Sequence, residues 1–235
     1  DDEGRALVTG ADFYAYPRLS PDGRRLAWIA WCHPDMPWDA TELWNAPLDQ
    51  DGRPGEPVRV AGGLGESVVQ PEWLPDGSLL FLSDRSGRWN LWRRQDGEDR
   101  PVHPMTTELG GPLWVLGQSW YDLLDGQQAV VTWTESGRWH AGRLELETGS
   151  LAPWPLPYVE INGVSCGGGR AVVVAAAEDG PAAVLEIDPD ARRPPPPSCG
   201  PRSAAAPRAA PPPPPRRRSA SPTSSGRAGA LPSWT

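Results

Sequence analysis

Lysine is absent from this chain. All 22 basic residues are arginine, a bias that reflects GC-rich codons and carries no functional signal. With no lysine, the glycine-rich run GGLGES at 62–67 cannot supply the Gly-Lys-Ser/Thr of a phosphate-binding loop. It reads as a flexible turn. Long apolar runs are also missing; nothing approaches the roughly 18 residues that cross a membrane as a helix. The opening DDEGRALVTG is acidic and lacks the apolar core of a secretion signal. Cysteine is scarce, with Cys32, Cys166 and Cys199 far apart and no C-x-x-C pair. Such spacing excludes a disulfide framework and a zinc knuckle, and favours reduced thiols in the cytoplasm. Only three histidines occur, and only two phenylalanines against 13 tryptophans.

What is present divides into two kinds of chain. Residues 1–190 carry 14 Arg against 30 acids, whereas residues 191–235 carry eight Arg and no acid. The later part holds the runs PPPP and PPPPP and almost nothing to bury. It reads as a disordered low-complexity tail with polyproline II character. The break falls abruptly, in mid-repeat, as an out-of-frame reading of GC-rich codons would give. A plain linker, a proline-rich ligand for SH3-like domains and an arginine patch for nucleic acid are the alternatives.

The acidic part is a repeat. PRLSPDGRRLAW from Pro17 is matched by PEWLPDGSLLFL from Pro71, and SGRW at 86–89 returns at 136–139. A weaker copy, GGRAVVVAAAEDGPAAVLEID, starts at Gly168. Each unit reads as a short strand, a Pro-Asp-Gly or Asp-Gly turn, a strongly apolar strand, a polar turn, and two further strands. Four short strands in about 45–50 residues, without helical periodicity, describe a propeller blade. A lone four-stranded blade cannot bury both faces, so the tryptophans and aliphatic residues should fill the spaces between stacked blades. The expected fold is all-β: a partial β-propeller of about four blades over 1–190. RALVTG is expected to be the last strand of an earlier blade, and the fourth blade should lack its own last strand. Four blades with open ends leave unpaired edges, so edge-to-edge self-association is expected.

The strings YPRLSPDGRRLAWIAW, MPWDATELW, ESVVQPEWLPDG and FLSDRSGRWNLWR resemble the β-propeller of S9-family serine peptidases. Within the prolyl oligopeptidase group they look most like the acylaminoacyl-peptidase or dipeptidyl-aminopeptidase-like branch. The resemblance spans about residues 5–160. It implies a propeller that restricts access to an α/β-hydrolase domain, so that only peptides reach the active site. The chain departs from that pattern in having no hydrolase segment and fewer blades. The function it implies is a non-catalytic propeller gating or selecting peptide substrates, inactive alone. The alternative, of a different class, is a stand-alone TolB-like propeller binding protein.

Candidate sites are few. GVSCG at 163–167 fits G-x-S-x-G, the turn that presents a hydrolase serine. That motif needs a strand, a sharp turn and a helix, with a histidine later in the chain. Here an apolar strand follows, and His33, His103 and His140 all precede Ser165. Ser165 therefore reads as an ordinary strand residue, and no catalytic residue is assigned. CHPDMPWDA fits no metal-ligand spacing, and nothing calls for a metal or cofactor, or for a nucleic-acid or membrane partner. The insertion 32–41 and the inter-blade loops 62–70 and 106–112 should emerge on one face of the propeller. That face would carry Asp35, Asp39, Glu66 and Glu108, the candidate substrate-facing residues; by the resemblance, the partner is a peptide.

Overall fold

The computed structural model describes residues 4–189; the tail expected over 191–235 lies outside them. Blade 1 comprises β1 (Phe13–Leu19), β2 (Arg25–Trp31), β3 (Glu42–Pro47) and β4 (Val58–Gly62). Blade 2 comprises β5 (Val68–Trp73), β6 (Leu79–Ser83), β7 (Asn90–Gln95) and β8 (Glu98–Pro101). Blade 3 comprises β9 (Tyr121–Leu123), β10 (Gln128–Glu135), β11 (Arg138–Glu145) and β12 (Leu151–Pro153). Blade 4 comprises, among the described residues, β13 (Glu160–Gly167), β14 (Arg170–Ala176) and β15 (Ala183–Ile187). All are antiparallel meanders, and the described residues contain no helix. The described residues therefore form a four-bladed propeller array; the loss of the last strand expected in the fourth blade falls on residues outside them.

Turn chemistry sets the repeat. In blade 1 the Ser20 hydroxyl donates to Asp22 at 2.6 Å, the Arg24 amide donates to the same carboxylate at 3.1 Å, and Gly23 takes φ 68°. In blade 2 Asp76 accepts from the amide and hydroxyl of Ser78, and Gly77 takes φ 82°. Proline presets the turn, aspartate closes it on its own backbone, and glycine occupies the left-handed position. These bonds to the charged form hold the Asp22 carboxyl below its ordinary value. At Asp76 burial pushes upward, but the bonds from Ser78 and Arg93 win and the net direction is down.

The core lies between blades. Ala27, Leu43, Val68, Trp73 and Phe81 pack where blade 1 meets blade 2. Val130, Ala141, Ile161, Ala171 and Val173 pack where blade 3 meets blade 4. The first junction is also stitched by Arg25, whose guanidinium lies 4.3 Å from the Trp73 ring centre and donates to the Gly77 carbonyl at 2.9 Å.

Three expectations are adjusted. Residues 4–12 form no strand. Instead Val8 and Ala11 rest on the outer face of blade 1 with Trp28 and Ala46. The last strand of blade 2 starts earlier than the segment RPVHPM suggested. In blade 3 that strand stops at Pro153, because Pro153, Pro155 and Pro157 have no amide to offer a ladder.

Candidate functional site

The first strands of blades 1 to 3 bring polar side chains to a cavity of about 450 Å³ that Val164 of β13 closes from blade 4. Tyr16 of β1 and Gln70 of β5 hold the same place in their repeats, and both have left-handed backbone, φ 50° and 51°. At each, pairing with the second strand slips register. Such a bulge re-aims the residues after it, and here it sets Arg18 and Glu72 against each other, Nε to Oε1 at 2.7 Å. In β13 the matching slip is taken by Gly163 at φ 64°. Gln70 then bridges to blade 3, accepting from the Trp120 amide at 2.9 Å, while the Tyr121 hydroxyl donates to the Gln70 carbonyl at 2.7 Å. Ser119 donates to the Val164 carbonyl at 2.7 Å, which ties in blade 4.

Burial dominates the electrostatics of this cavity. It raises the Glu72 carboxyl, although the Arg18 guanidinium pulls the other way, and Asp122 adds a smaller upward push. Burial likewise raises the Tyr16 and Tyr121 phenols. The Cys166 thiol is pushed up to about 12 by burial and by Asp122, which accepts from the Cys166 amide at 2.6 Å. A thiol so raised is a poor nucleophile. The cavity offers one ion pair, hydroxyls and amides. That set can bind and orient a polar chain, but it pairs no nucleophile with a base.

The loop face gathers the sequence-selected acids, each with its own role. Insertion 32–41 is fastened to the blade 1–2 connection: Ser67 donates its hydroxyl to the Pro37 carbonyl, and Thr41 donates its amide to Glu66 at 3.2 Å. Glu66 accepts from Arg85 at 2.8 Å and from Ser83 at 2.7 Å. Glu108 pairs with Arg88 at 2.8 Å and accepts the Trp89 amide at 2.8 Å. Asp39 closes its own turn on the Met36 amide at 3.1 Å. Asp35 lines an open groove of about 560 Å³ beside Trp31 and Glu42.

Sequence reading missed an aromatic cluster on this face. Phe13 stacks on Trp31 with ring centres 5.1 Å apart, and Trp38 meets Trp114 at 4.4 Å. Met36, Trp114, Val115 and Leu116 are exposed around them, bordering a cavity of about 310 Å³. A contiguous exposed apolar patch of this kind marks an interaction surface.

Ser165 lies in β13, opposite Val172 of β14. The two strands are joined through Gly168 and Gly169, both left-handed, at φ 59° and 74°, a tight hairpin turn and no strand-to-helix elbow. The histidines are engaged elsewhere: His103 with the Gly149 carbonyl at 2.7 Å, His140 stacked on Trp133, His33 against Phe13. Among the described residues no cluster of three or more metal-ligating side chains occurs, and no helix is long and apolar enough to cross a membrane.

No family model matches the chain, and no curated protein does. Solved structures do. A puromycin-hydrolyzing peptidase of Mycobacterium tuberculosis is 38% identical over 79% of this chain, with a TM-score of 0.75. Prolyl oligopeptidase B of Galerina marginata shares the fold, at 13% identity over 76% of the chain and a TM-score of 0.60. A putative TolB of Agrobacterium tumefaciens shares it less closely, at 16% identity over 72% and a TM-score of 0.53. The chain spans about a quarter of each peptidase, 28% and 24% of their lengths, and 59% of the TolB chain. Its described blades resemble the propeller of S9-type serine peptidases.

Proposed function

We propose that these blades are the non-catalytic propeller portion of an S9-type serine peptidase, gating or selecting peptides for a hydrolase domain. The observation that carries the reading is the 38% identity to a puromycin-hydrolyzing peptidase across 79% of the chain. Two features of the site agree with it. The polar cavity between the inner strands suits an extended peptide, whose backbone needs hydrogen-bond partners. The aromatic cluster with Asp35 nearby offers apolar contact and one carboxylate on the loop face. Asp35, Asp39, Glu66 and Glu108 are the substrate-facing candidates; of these, Asp35 alone borders an open groove, and the others serve the loops that frame it.

The test uses the full chain alone and mixed with the isolated hydrolase domain of the Mycobacterium tuberculosis relative. Alone, it should neither cleave peptides nor react with a fluorophosphonate at Ser165, since a serine hydroxyl without a base is a weak nucleophile. In the mixture, cleavage of long peptides should fall relative to short ones. Stoichiometric labelling of Ser165, or a hydrolase indifferent to the added chain, would overturn the proposal. Saturable binding of a non-peptide ligand by the chain alone would favour the TolB-like alternative.

A further inference from the structure

The Pro-Asp-Gly turns lie on the face opposite the loops, since β2 begins at Arg25 beside its turn and ends at Trp31 beside the insertion. On this turn face, between blades 1 and 2, is a second cavity of about 450 Å³, within the roughly 300–1,000 Å³ of small-molecule sites. It shares no lining residue with the central cavity or with the groove beside Asp35. Four charged residues line it: Arg25, Asp76, Arg94 and Asp96. Two of them are matched. Asp76 accepts from Arg93 and Ser78, and Arg94 donates to Asp99 at 2.6 Å. The other two are not. Arg25 and Asp96 have no ion-pair partner among the described residues, and they do not reach each other across the cavity.

Arg25 is held in place by its surroundings. Its guanidinium lies 4.3 Å from the Trp73 ring centre, and Nη2 donates to the Gly77 carbonyl. Gly77 is left-handed, and a Cβ there would come within 2.7 Å of that nitrogen, so the turn glycine makes the seat. The remaining N–H groups suit a carboxylate, which a guanidinium binds through two parallel hydrogen bonds. Asn45 of β3 lines the same cavity, and its buried Oδ1 has no hydrogen-bond partner among the described residues. A buried acceptor left unmatched costs free energy until a donor meets it. Val58, 62% exposed, and Leu79 add apolar surface beside these groups. We propose that this cavity binds an aliphatic α-amino acid, with its carboxylate on Arg25, its ammonium toward Asp96 and Asn45, and its side chain on Val58 and Leu79. A simple anion or cation would leave one of the two charges unmatched. A zwitterion matches both and brings the donor that Asn45 lacks. Free amino acids and short peptides with both ends free share this chemistry. The inference does not rest on the peptidase reading.

The experiment is titration calorimetry on the full 235-residue chain, with L-leucine, leucinamide, 4-methylpentanoate and leucyl-leucine as probes. Leucine should bind saturably, at a single site per chain. Leucinamide lacks the carboxylate and 4-methylpentanoate lacks the ammonium, so each should bind at least about tenfold more weakly. Arg25→Gln should weaken leucine binding by a similar factor. Asp96→Asn should weaken it about fivefold or more; asparagine accepts the left-handed backbone at this turn, so this variant tests the site even if Arg25→Gln loosens the junction of blades 1 and 2. Leucyl-leucine that displaces leucine supports a site open to peptide ends as well, and leucyl-leucine that does not supports one confined to free amino acids. Absence of saturable leucine binding overturns the proposal. So does equal binding of leucinamide or 4-methylpentanoate, or leucine binding that survives both substitutions.

Discussion

Arg18 and Glu72 occupy the same place in successive repeats, 54 residues apart. Inner strands of adjacent blades run side by side, so opposite charges at equivalent positions are brought together by the repeat itself. The pair is partly exposed and should contribute about 1 kcal/mol or less. Its protonation is more informative. The folded chain holds the Glu72 proton more tightly than the unfolded chain, because burial outweighs the pull of Arg18. Protonation therefore favours folding, and this contribution fades as pH rises through the raised value. Urea unfolding of the unsubstituted chain and of Glu72→Gln, compared between about pH 4 and 8, should show the stability difference moving against the unsubstituted chain as pH rises. A difference that moved in its favour would mean that attraction to Arg18 exceeds the cost of burying the carboxylate.

At the scale of the element, the tightest point is the exit of β4. Gly62 has φ 85°, and a Cβ there would lie 1.9 Å from the Thr41 carbonyl oxygen and 2.9 Å from Val68 Cγ2. Thr41 is itself clamped to blade 2, its hydroxyl accepting from the Val68 amide at 2.6 Å and donating to the Val68 carbonyl at 2.7 Å. Gly62→Ala should therefore pry the first two blades apart and cost about 3 kcal/mol or more. Gly65→Ala, with φ 76° but open space around it, should cost only the left-handed strain of about 1–2 kcal/mol. Denaturant midpoints measure both, and equal losses would sink the claim of a backbone clash. The repeat made the blades legible, because Pro-Asp-Gly turns and apolar second strands are local signals. The site was less so. Trp38 and Trp114 come from loops of different blades with no shared period, and the bulges at Tyr16 and Gln70 leave no mark in a strand pattern. Arg18 and Glu72 were visible as aligned positions, but only the slipped register turns them into the cavity. The acids chosen from loop position do fall between the named strands, yet sequence could not show that Arg85 and Arg88 would engage Glu66 and Glu108.

Across the whole molecule, stability should be graded, because each blade leans only on its neighbours. Blade 2 has a neighbour on both sides, and every residue of β6 is buried. In blade 3, five consecutive residues of β10 are buried. In blade 4, β14 alternates exposed and buried residues and β15 turns Val184 and Glu186 outward. Local opening takes least free energy where the fewest apolar contacts must be broken. Hydrogen exchange on the full chain should find β6 and β10 amides slowest. Those of β14, although it is flanked by β13 and β15, should exchange at least about tenfold faster. If β14 were as slow as β6, the array would be opening as one unit instead of blade by blade.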